Sequence, residues 1–196
     1  MGRSPLGRGS SAGLVVGFAF EPKESEHNMN IALHAQPYDI TATGFYFSTA
    51  EEFDEKVSKL TNDFGDPVEE FEIQFIDGEQ IDCELAKEID INQGNFRSYL
   101  DCIEAWEDWQ KILVIIAVGE CGYNFDADVD PDHYGIDIYH TTSMRELAEQ
   151  FVEEGLYGDI PDSLQYYIDY DAIARDLSME YSDTVIAGDY LIYRAS

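Results

Sequence analysis

Apolar and polar residues alternate over a short stretch in the first half of the chain. Phe71, Ile73 and Phe75 are each separated by one polar residue. This period of two predicts a strand with one buried and one solvated face, which ends at the Asp77–Gly78 turn. Two earlier strands are predicted, one beginning at Met29 and one running through Gly44 to Phe47.

A helix is predicted between the second and third strands. Ser48 and Glu51 have the spacing of a capping box, and Phe53, Val57 and Leu60 recur at helical spacing. The resulting β-β-α-β unit has about 50 residues, which is a common size for a small structural unit.

The segment that follows changes to helical periodicity. Phe96, Leu100, Ile103 and Trp106 recur at intervals of four, three and three. The outer face of this helical segment is expected to carry acidic residues, namely Asp101, Glu104, Glu107 and Asp108. Trp106 and Trp109 follow the apolar period, so we expect both to anchor the core rather than to form a ligand platform.

The last part of the chain alternates between loops, strands and helices. A polar loop over 119–135 precedes a predicted strand at Ile136 to Tyr139. Ser143 and Glu146 have capping-box spacing and begin a predicted helix that ends near Gly155. A terminal hairpin is predicted from Thr184 to Tyr193.

The stretch from Ile160 to Leu177 has the pattern of a single acidic amphipathic helix. Pro161 suits a first helical position, and Asp162, Asp169 and Asp176 fall seven residues apart. At about 1.5 Å per residue, successive carboxylates on such a helix are separated by roughly 10 Å along one face. The predicted apolar stripe consists of Leu164, Tyr167, Ile168, Ala174 and Leu177.

These patterns predict an α+β protein built as a chain of small domains. Residues 1–28 differ in composition from the rest and are expected to be a disordered leader or extension. The expected units are a small α+β domain over 29–90, a helical middle domain over 91–118 and an α+β domain over 119–196.

Charge changes this picture most. The chain has 41 acidic and 11 basic residues, a formal net charge of −30. The first 28 residues carry three of each kind, so the whole excess belongs to the remaining 168 residues. It is spread evenly, with −15 on residues 29–118 and −15 on residues 119–196, so an acidic tail is excluded. Solubility or halophilic adaptation, calcium binding and a basic partner each explain such a surface; a basic partner explains it best.

One string resembles a calcium loop. Asp126, Asp128 and Asp130 occupy its first, third and fifth positions, but Pro131 stands where glycine is required and Asp137 where glutamate is usual. A functional EF-hand is therefore not expected. An acidic calcium-responsive interaction module stays open as the alternative of a different class.

The sequence contains no motif of an enzyme. A phosphate-binding glycine loop, a zinc-protease motif and a nucleophile elbow are all lacking in the 196 residues, so neither catalysis nor a metal or cofactor is expected. Three cysteines without CxxC spacing favour a reducing cytoplasm. No apolar run reaches the length of a membrane span, and a −30 body repels nucleic acid.

The run SLQYYIDYDAIARDL, preceded by SMRELAEQFVEEG, resembles the C-terminal signature of the ArdA antirestriction family. A second, looser resemblance covers Tyr38 to Ile89, where GFYF precedes an acidic helix. The resemblance implies an elongated homodimeric mimic of double-stranded DNA that occupies the DNA site of type I restriction-modification enzymes, on their methyltransferase core. Another basic machine, such as a CRISPR effector, a nucleoid protein or a polymerase, is the alternative target.

The candidate site is therefore a surface rather than a pocket. Its expected phosphate-mimicking residues are Asp101, Glu104, Glu107, Asp108, Asp126, Asp128, Asp130, Asp132, Glu149, Glu153, Asp162, Asp169 and Asp176. Tyrosines are abundant in the C-terminal domain and suit a partly wet interface. The candidate dimer residues are Tyr166, Tyr170, Tyr190 and Tyr193, with the filling of a small core as the alternative role.

Overall fold

A computed structural model describes residues 31–195. The predicted leader over 1–28 and the start at Met29 lie outside these residues. Within them the chain forms two three-stranded antiparallel sheets and seven α-helices, so the predicted α+β class is confirmed. None of the helices in this range has the length and apolarity needed to cross a membrane.

The N-terminal sheet has the strand order β2-β1-β3. Its strands are β1 (Ala32–Pro37), β2 (Phe45–Phe47) and β3 (Phe71–Asp77), and α1 (Ala50–Val57) lies between β2 and β3 in sequence. Ala35 of the central strand pairs with Phe45 on one side and Ile73 on the other. The predicted β-β-α-β order is confirmed.

The cap of α1 differs from the prediction by one residue. Thr49, not Ser48, is the N-cap, and its hydroxyl accepts a hydrogen bond from the Glu52 backbone N–H at 3.2 Å. The Ser48 backbone N–H donates in turn to Glu52 Oε2 at 3.0 Å. The predicted pair, Ser48 and Glu51, and the observed pair, Thr49 and Glu52, have the same capping-box spacing. In the observed helix Phe53 is buried, at 4% exposure.

Three helices follow the first sheet. They are α2 (Gln80–Glu88), α3 (Phe96–Ala105) and α4 (Asp108–Ile115), and α4 continues into a π-helical turn at Ile116–Glu120. α2 was absent from the sequence prediction, although Ile81, Leu85 and Ile89 recur every four residues and are buried. The placement of Trp109 in the core was wrong, because its side chain is 43% exposed, whereas Trp106 is partly buried against the core.

The middle helices share a core with the N-terminal sheet. Phe96 of α3 lies 5.4 Å from Phe47 and 4.7 Å from Phe53, measured between ring centroids. Phe53 also contacts Phe71 of β3 in an edge-to-face arrangement at 5.7 Å. Such aromatic contacts contribute about 0.5–1.5 kcal/mol each beyond the burial of their area.

A buried ion pair joins α2 to α4. Lys111 Nζ lies 2.7 Å from Asp82 Oδ1, and their side chains are 0% and 9% exposed. The Tyr99 hydroxyl of α3 donates to the backbone carbonyl of Asp82 at 2.9 Å. Burial raises the pKa of Tyr99, so it stays a neutral donor. Three helices therefore meet at one satisfied polar contact inside an apolar core.

The C-terminal part is built on a sheet of order β4-β6-β5. Its strands are β4 (Ile136–Tyr139), β5 (Ser182–Ile186) and β6 (Asp189–Ala195), and a 3-10 turn at Pro131–Tyr134 precedes β4. The helices between β4 and β5 are α5 (Met144–Glu153), α6 (Asp162–Gln165) and α7 (Tyr170–Leu177). The predicted Ser143 cap is confirmed, since its side chain accepts from the Glu146 N–H at 3.1 Å.

The two faces of β6 belong to different cores. Leu191 and Tyr193 lie in the main cluster, which extends back to Ile31, whereas Ile192 packs in a second cluster with Leu147 and Phe151 of α5. This follows from the alternation of side chains along a strand. The main core is thus continuous from the first sheet to the last strand, and the proposed domain boundaries stay predictions.

The prediction of one helix from Ile160 to Leu177 was wrong. The chain forms the short α6, then turns, and begins α7 at Tyr170. Asp169 causes the new start, because its side chain accepts from the Ala172 backbone N–H at 3.0 Å and acts as N-cap. Pro161 is likewise the N-cap of α6 rather than its first residue.

The predicted apolar stripe of that helix does not form. Leu164 and Tyr167 are 53% and 82% exposed, and Leu177, at 9% exposure, is the one buried residue of α6 and α7. Asp162, Asp169 and Asp176 therefore do not lie along one helix. The predicted spacing of roughly 10 Å between successive carboxylates was wrong for the same reason.

Candidate functional site

Positive charge on the folded chain is almost fully paired. Residues 31–195 contain eight lysines and arginines, and seven of these form an ion pair within 4.0 Å of a carboxylate. The exception in this range is Arg175. Because 38 acidic residues occupy the same range, most carboxylates have no cation beside them, and the exposed surface is negative.

One group of these exposed acids forms a ridge on α3 and at the start of α4. Asp101, Glu104, Glu107 and Asp108 are all exposed, while the opposite face of α3 is buried. The break between the helices is fixed by Gln110, whose side-chain oxygen accepts from the Glu107 backbone N–H at 3.0 Å. The exposure of all four acids agrees with the prediction, but they do not share one helix. Because α3 ends at Ala105, Glu107 is the N-cap of α4 and Asp108 its first residue.

The loop before β4 carries four more exposed carboxylates, Asp126, Asp128, Asp130 and Asp132. Asp126 accepts from the Asp128 N–H at 3.0 Å and Asp130 from the Asp132 N–H at 3.1 Å, which gives two local turns. Tyr134, 8% exposed, fastens the end of the loop in the main core, and burial raises the pKa of its hydroxyl. These contacts hold the backbone of the loop at two turns and at its end.

The same loop does not have the geometry of a calcium site. Pro131 is buried in the 3-10 turn, and Asp137 pairs with Arg194 at 2.7 Å instead of facing the loop. Over residues 31–195, no group of three or more His, Cys, Asp or Glu side chains is arranged to hold a metal ion. The structure thus gives the calcium-responsive alternative no support.

The remaining candidate acids differ in availability. Glu153 is exposed, but Glu149 is half-buried and pairs with Arg145 at 3.0 Å. Asp162 and Asp176 are exposed, whereas Asp169 is occupied as a helix cap. Exposed acids of the N-terminal half were missing from the candidate set, although the even spread of charge pointed to them. They include Glu51, Glu69, Glu70, Glu72 and Glu79.

The candidate interface tyrosines fall into two groups. Tyr166 is 94% exposed and Tyr170 and Tyr190 are half-buried, but Tyr193 is 8% exposed in the main core. Burial raises the pKa of Tyr193, as expected of a core hydroxyl. Tyr193 therefore fills the core. The free apolar surface in this region also includes Leu164 and Tyr167, which the sequence placed on the apolar stripe of a helix. It further includes three residues that the sequence did not single out, namely Leu156, Tyr157 and Met179.

The signature run and the acidic surface lie within one family match. The sequence profile described as Antirestriction protein (ArdA) matches residues 25–191. The chain belongs to the ArdA family. ArdA proteins are non-catalytic inhibitors that act against type I restriction enzymes. A search of curated proteins found no match.

The family match covers the acidic surface described above. The ArdA match begins before β1 and ends within β6, so it covers both sheets and every candidate acid from Asp101 to Asp176. The surface of this ArdA protein offers carboxylates on fixed elements. Chemically, such a surface can pair with lysine and arginine side chains of a partner.

Proposed function

We propose that this ArdA protein inhibits a type I restriction-modification enzyme by occupying its duplex DNA site as a mimic. The observation that carries the proposal is the charge of the folded body. It has 38 acidic residues against eight basic ones, and seven of those eight are already paired internally. A cleft lined with cations therefore meets an almost uniformly anionic surface.

The net charge of the folded chain can be compared with the charge of a duplex of known length. Duplex DNA carries one charge per roughly 1.7 Å of helix axis, so 30 charges correspond to about 50 Å of duplex. A homodimer offers about twice that amount. The proposed target is the methyltransferase core of the type I restriction-modification enzyme. The proposed place of action is the cytoplasm.

The binding energy is expected to be distributed. A DNA site presents lysines and arginines already arranged for phosphates, and carboxylates on rigid elements form charge-assisted hydrogen bonds with them. Each exposed pair contributes only about 0–1 kcal/mol, so many pairs must act together. The exposed carboxylates on α3, on α4 and on the 126–132 loop, where two local hydrogen bonds hold the backbone, support this expectation.

Competition with duplex DNA tests the proposal. Purified protein is titrated into a complex of the methyltransferase core with labelled duplex, and we expect stoichiometric release of the DNA. Duplex binding that is unchanged in large molar excess of the protein contradicts the mimic. Recovery of a CRISPR effector, nucleoid protein or polymerase from host lysate, without the methyltransferase, moves the target to that machine.

We also propose a homodimer formed through the C-terminal region. The support is the exposed apolar group around α6, in which Leu164, Tyr166 and Tyr167 are each more than half exposed. Two −30 bodies repel each other, so dimerisation should strengthen with salt while target binding weakens. Sedimentation equilibrium at low and high salt measures this, and a strict monomer at tens of micromolar in both conditions refutes the dimer.

A further inference from the structure

Three large apolar side chains stand exposed on two loops at one end of the N-terminal sheet. Tyr38, Ile40 and Phe64 are 64%, 96% and 80% exposed, and together they define what we call the apolar knuckle. Tyr38 and Ile40 follow β1, and Phe64 follows α1. Single apolar residues on a surface are ordinary, but hydrogen bonds between these two loops bring the three together. Exposed apolar side chains that are grouped in this way favour an interaction site.

The first loop of the knuckle is held by one carboxylate. Asp39 Oδ1 accepts from the Thr41 backbone N–H at 2.9 Å and from its hydroxyl at 2.7 Å. Asp39 Oδ2 accepts from the Asn62 side-chain amide at 2.9 Å, which ties the first loop to the second. The hydrogen bonds from Asn62 and Thr41 lower the pKa of Asp39, so the loop stays fastened at neutral pH.

The second loop is equally constrained. Asn62 Oδ1 accepts from the backbone N–H of Phe64 at 3.0 Å and of Asp66 at 2.9 Å. Gly65 between them has φ of 85°, a conformation that glycine adopts without strain. The Asp63 N–H donates to the Thr41 carbonyl at 3.2 Å and closes the pair of loops. A partner therefore meets side chains that are already positioned, which lowers the entropic cost of binding.

Charge around the knuckle selects the kind of partner. Residues 38–42 and 61–70 contain five acids, Asp39, Asp63, Asp66, Glu69 and Glu70, and no lysine or arginine. Nucleic acid, an anionic membrane and a second copy of this loop pair are all repelled by that rim. Residues 1–28 carry three acids and three bases, so they offer no net positive charge to it. A basic protein surface is the complement that remains.

We propose that the apolar knuckle is an anchor that inserts into an apolar recess of a basic protein partner. The inference rests on the proposed function, because the partner is taken to be the DNA-binding surface of the inhibited enzyme. Carboxylates replace phosphates on that surface, and the knuckle adds an apolar contact that a duplex backbone does not offer. The contact is not screened by salt, so part of the affinity survives at high ionic strength.

The test compares matched surface variants of the full chain. The double variant Ile40→Ser, Phe64→Ser removes the two most exposed side chains of the knuckle. As the control, Val185→Ser removes an apolar side chain that is 60% exposed on β5. Each is titrated against labelled duplex on the methyltransferase core at low and high salt. Buried interface anchors cost more than about tenfold in affinity when truncated, so we expect a loss of at least that size for the double variant. Val185→Ser should compete like the wild type, and the gap should persist at high salt.

The outcomes separate the anchor from the mimic. If the wild type and the double variant compete equally well with duplex DNA, the anchor proposal is overturned and the mimic proposal stands. If the wild type itself does not compete, both proposals are contradicted. A double variant that loses self-association in sedimentation, with its competition kept, assigns the knuckle to a second copy and overturns the proposal. Urea unfolding checks each fold, and Tyr38→Ser serves as the second probe if the double variant is destabilised.

Discussion

The helices α3 and α4 and the stretch from Ile160 to Asp169 have similar sequence patterns but different structures. Both have acidic residues interspersed with apolar residues at helical spacing. In α3, Phe96, Tyr99 and Leu100 are at most 7% exposed, whereas Leu164 and Tyr166 are more than half exposed. Helical periodicity therefore produced a rigid acidic ridge only where the apolar stripe had a core to pack against.

The comparison separates charge from scaffold. Acidic residues lie at the surface in both regions, since a carboxylate is stable there with or without a regular element beneath it. What differs is whether the element that carries the carboxylates packs against a core through a buried apolar face. If binding relies on preorganised charge, the α3–α4 ridge should matter more than the loose segment near α6.

Among these predictions, the largest expected effect is the loss of unfolding free energy when the buried ion pair between α2 and α4 is broken. Replacing Asp82 by Ala leaves the Lys111 ammonium, 0% exposed, without its partner 2.7 Å away. Loss of one member of a buried pair costs about 3–5 kcal/mol of unfolding free energy. Urea denaturation measures it.

Two variants control that experiment. Lys59→Met removes the exposed ion pair that Lys59, just after α1, forms with Glu55, and should change the unfolding free energy by less than about 1 kcal/mol. The double variant Asp82→Leu, Lys111→Met should recover much of the loss. An Asp82→Ala protein as stable as Lys59→Met contradicts the role given to the buried pair.

A smaller effect is expected at the cap that begins α7. Asp169→Ala removes the acceptor for the Ala172 N–H and should cost about 1 kcal/mol of unfolding free energy. Asp169→Asn keeps an acceptor and should be nearly neutral in stability. If the two variants unfold at the same urea concentration, the cap does not begin the helix and the break in this region has another cause.

The smallest effect is expected from single charges. Asp162→Asn, Asp176→Asn and Asp101→Asn each remove one exposed carboxylate, and each should leave inhibition of restriction within about threefold of the wild type, since one exposed pair contributes only about 0–1 kcal/mol. Neutralising about ten acids together should abolish inhibition. A single Asn variant that loses all inhibition while remaining folded contradicts distributed contacts.

Several features of the fold were predictable because the signal was local. The alternation at Phe71, Ile73 and Phe75 predicted β3, and Ser143 predicted the start of α5. Overlapping motifs caused the error at Ser48, where Thr49 and Glu52 offered the same capping pair. Tertiary packing decided what local pattern did not, as in the exposure of Trp109 and the burial of Tyr193.

The candidate site was predictable in kind and less so in detail. An excess of 30 negative charges on 165 described residues places carboxylates at the surface whatever the fold. Which of them are free depended on partners distant in sequence, such as Arg194 beside Asp137, 57 residues away. The apolar knuckle was invisible in sequence for the same reason, because its two loops are joined by Asp39 and Asn62, 23 residues apart.

The salt dependence of binding tests the central claim of charge mimicry most directly. The affinity of the protein for the methyltransferase core is measured from low to high salt, alongside that of a short duplex. Duplex binding weakens with a slope of about −0.9 per phosphate contact in log K against log salt, through counterion release. The account predicts a steep loss for the protein too, ending in a small residual affinity from the knuckle. An affinity that does not change with salt contradicts it.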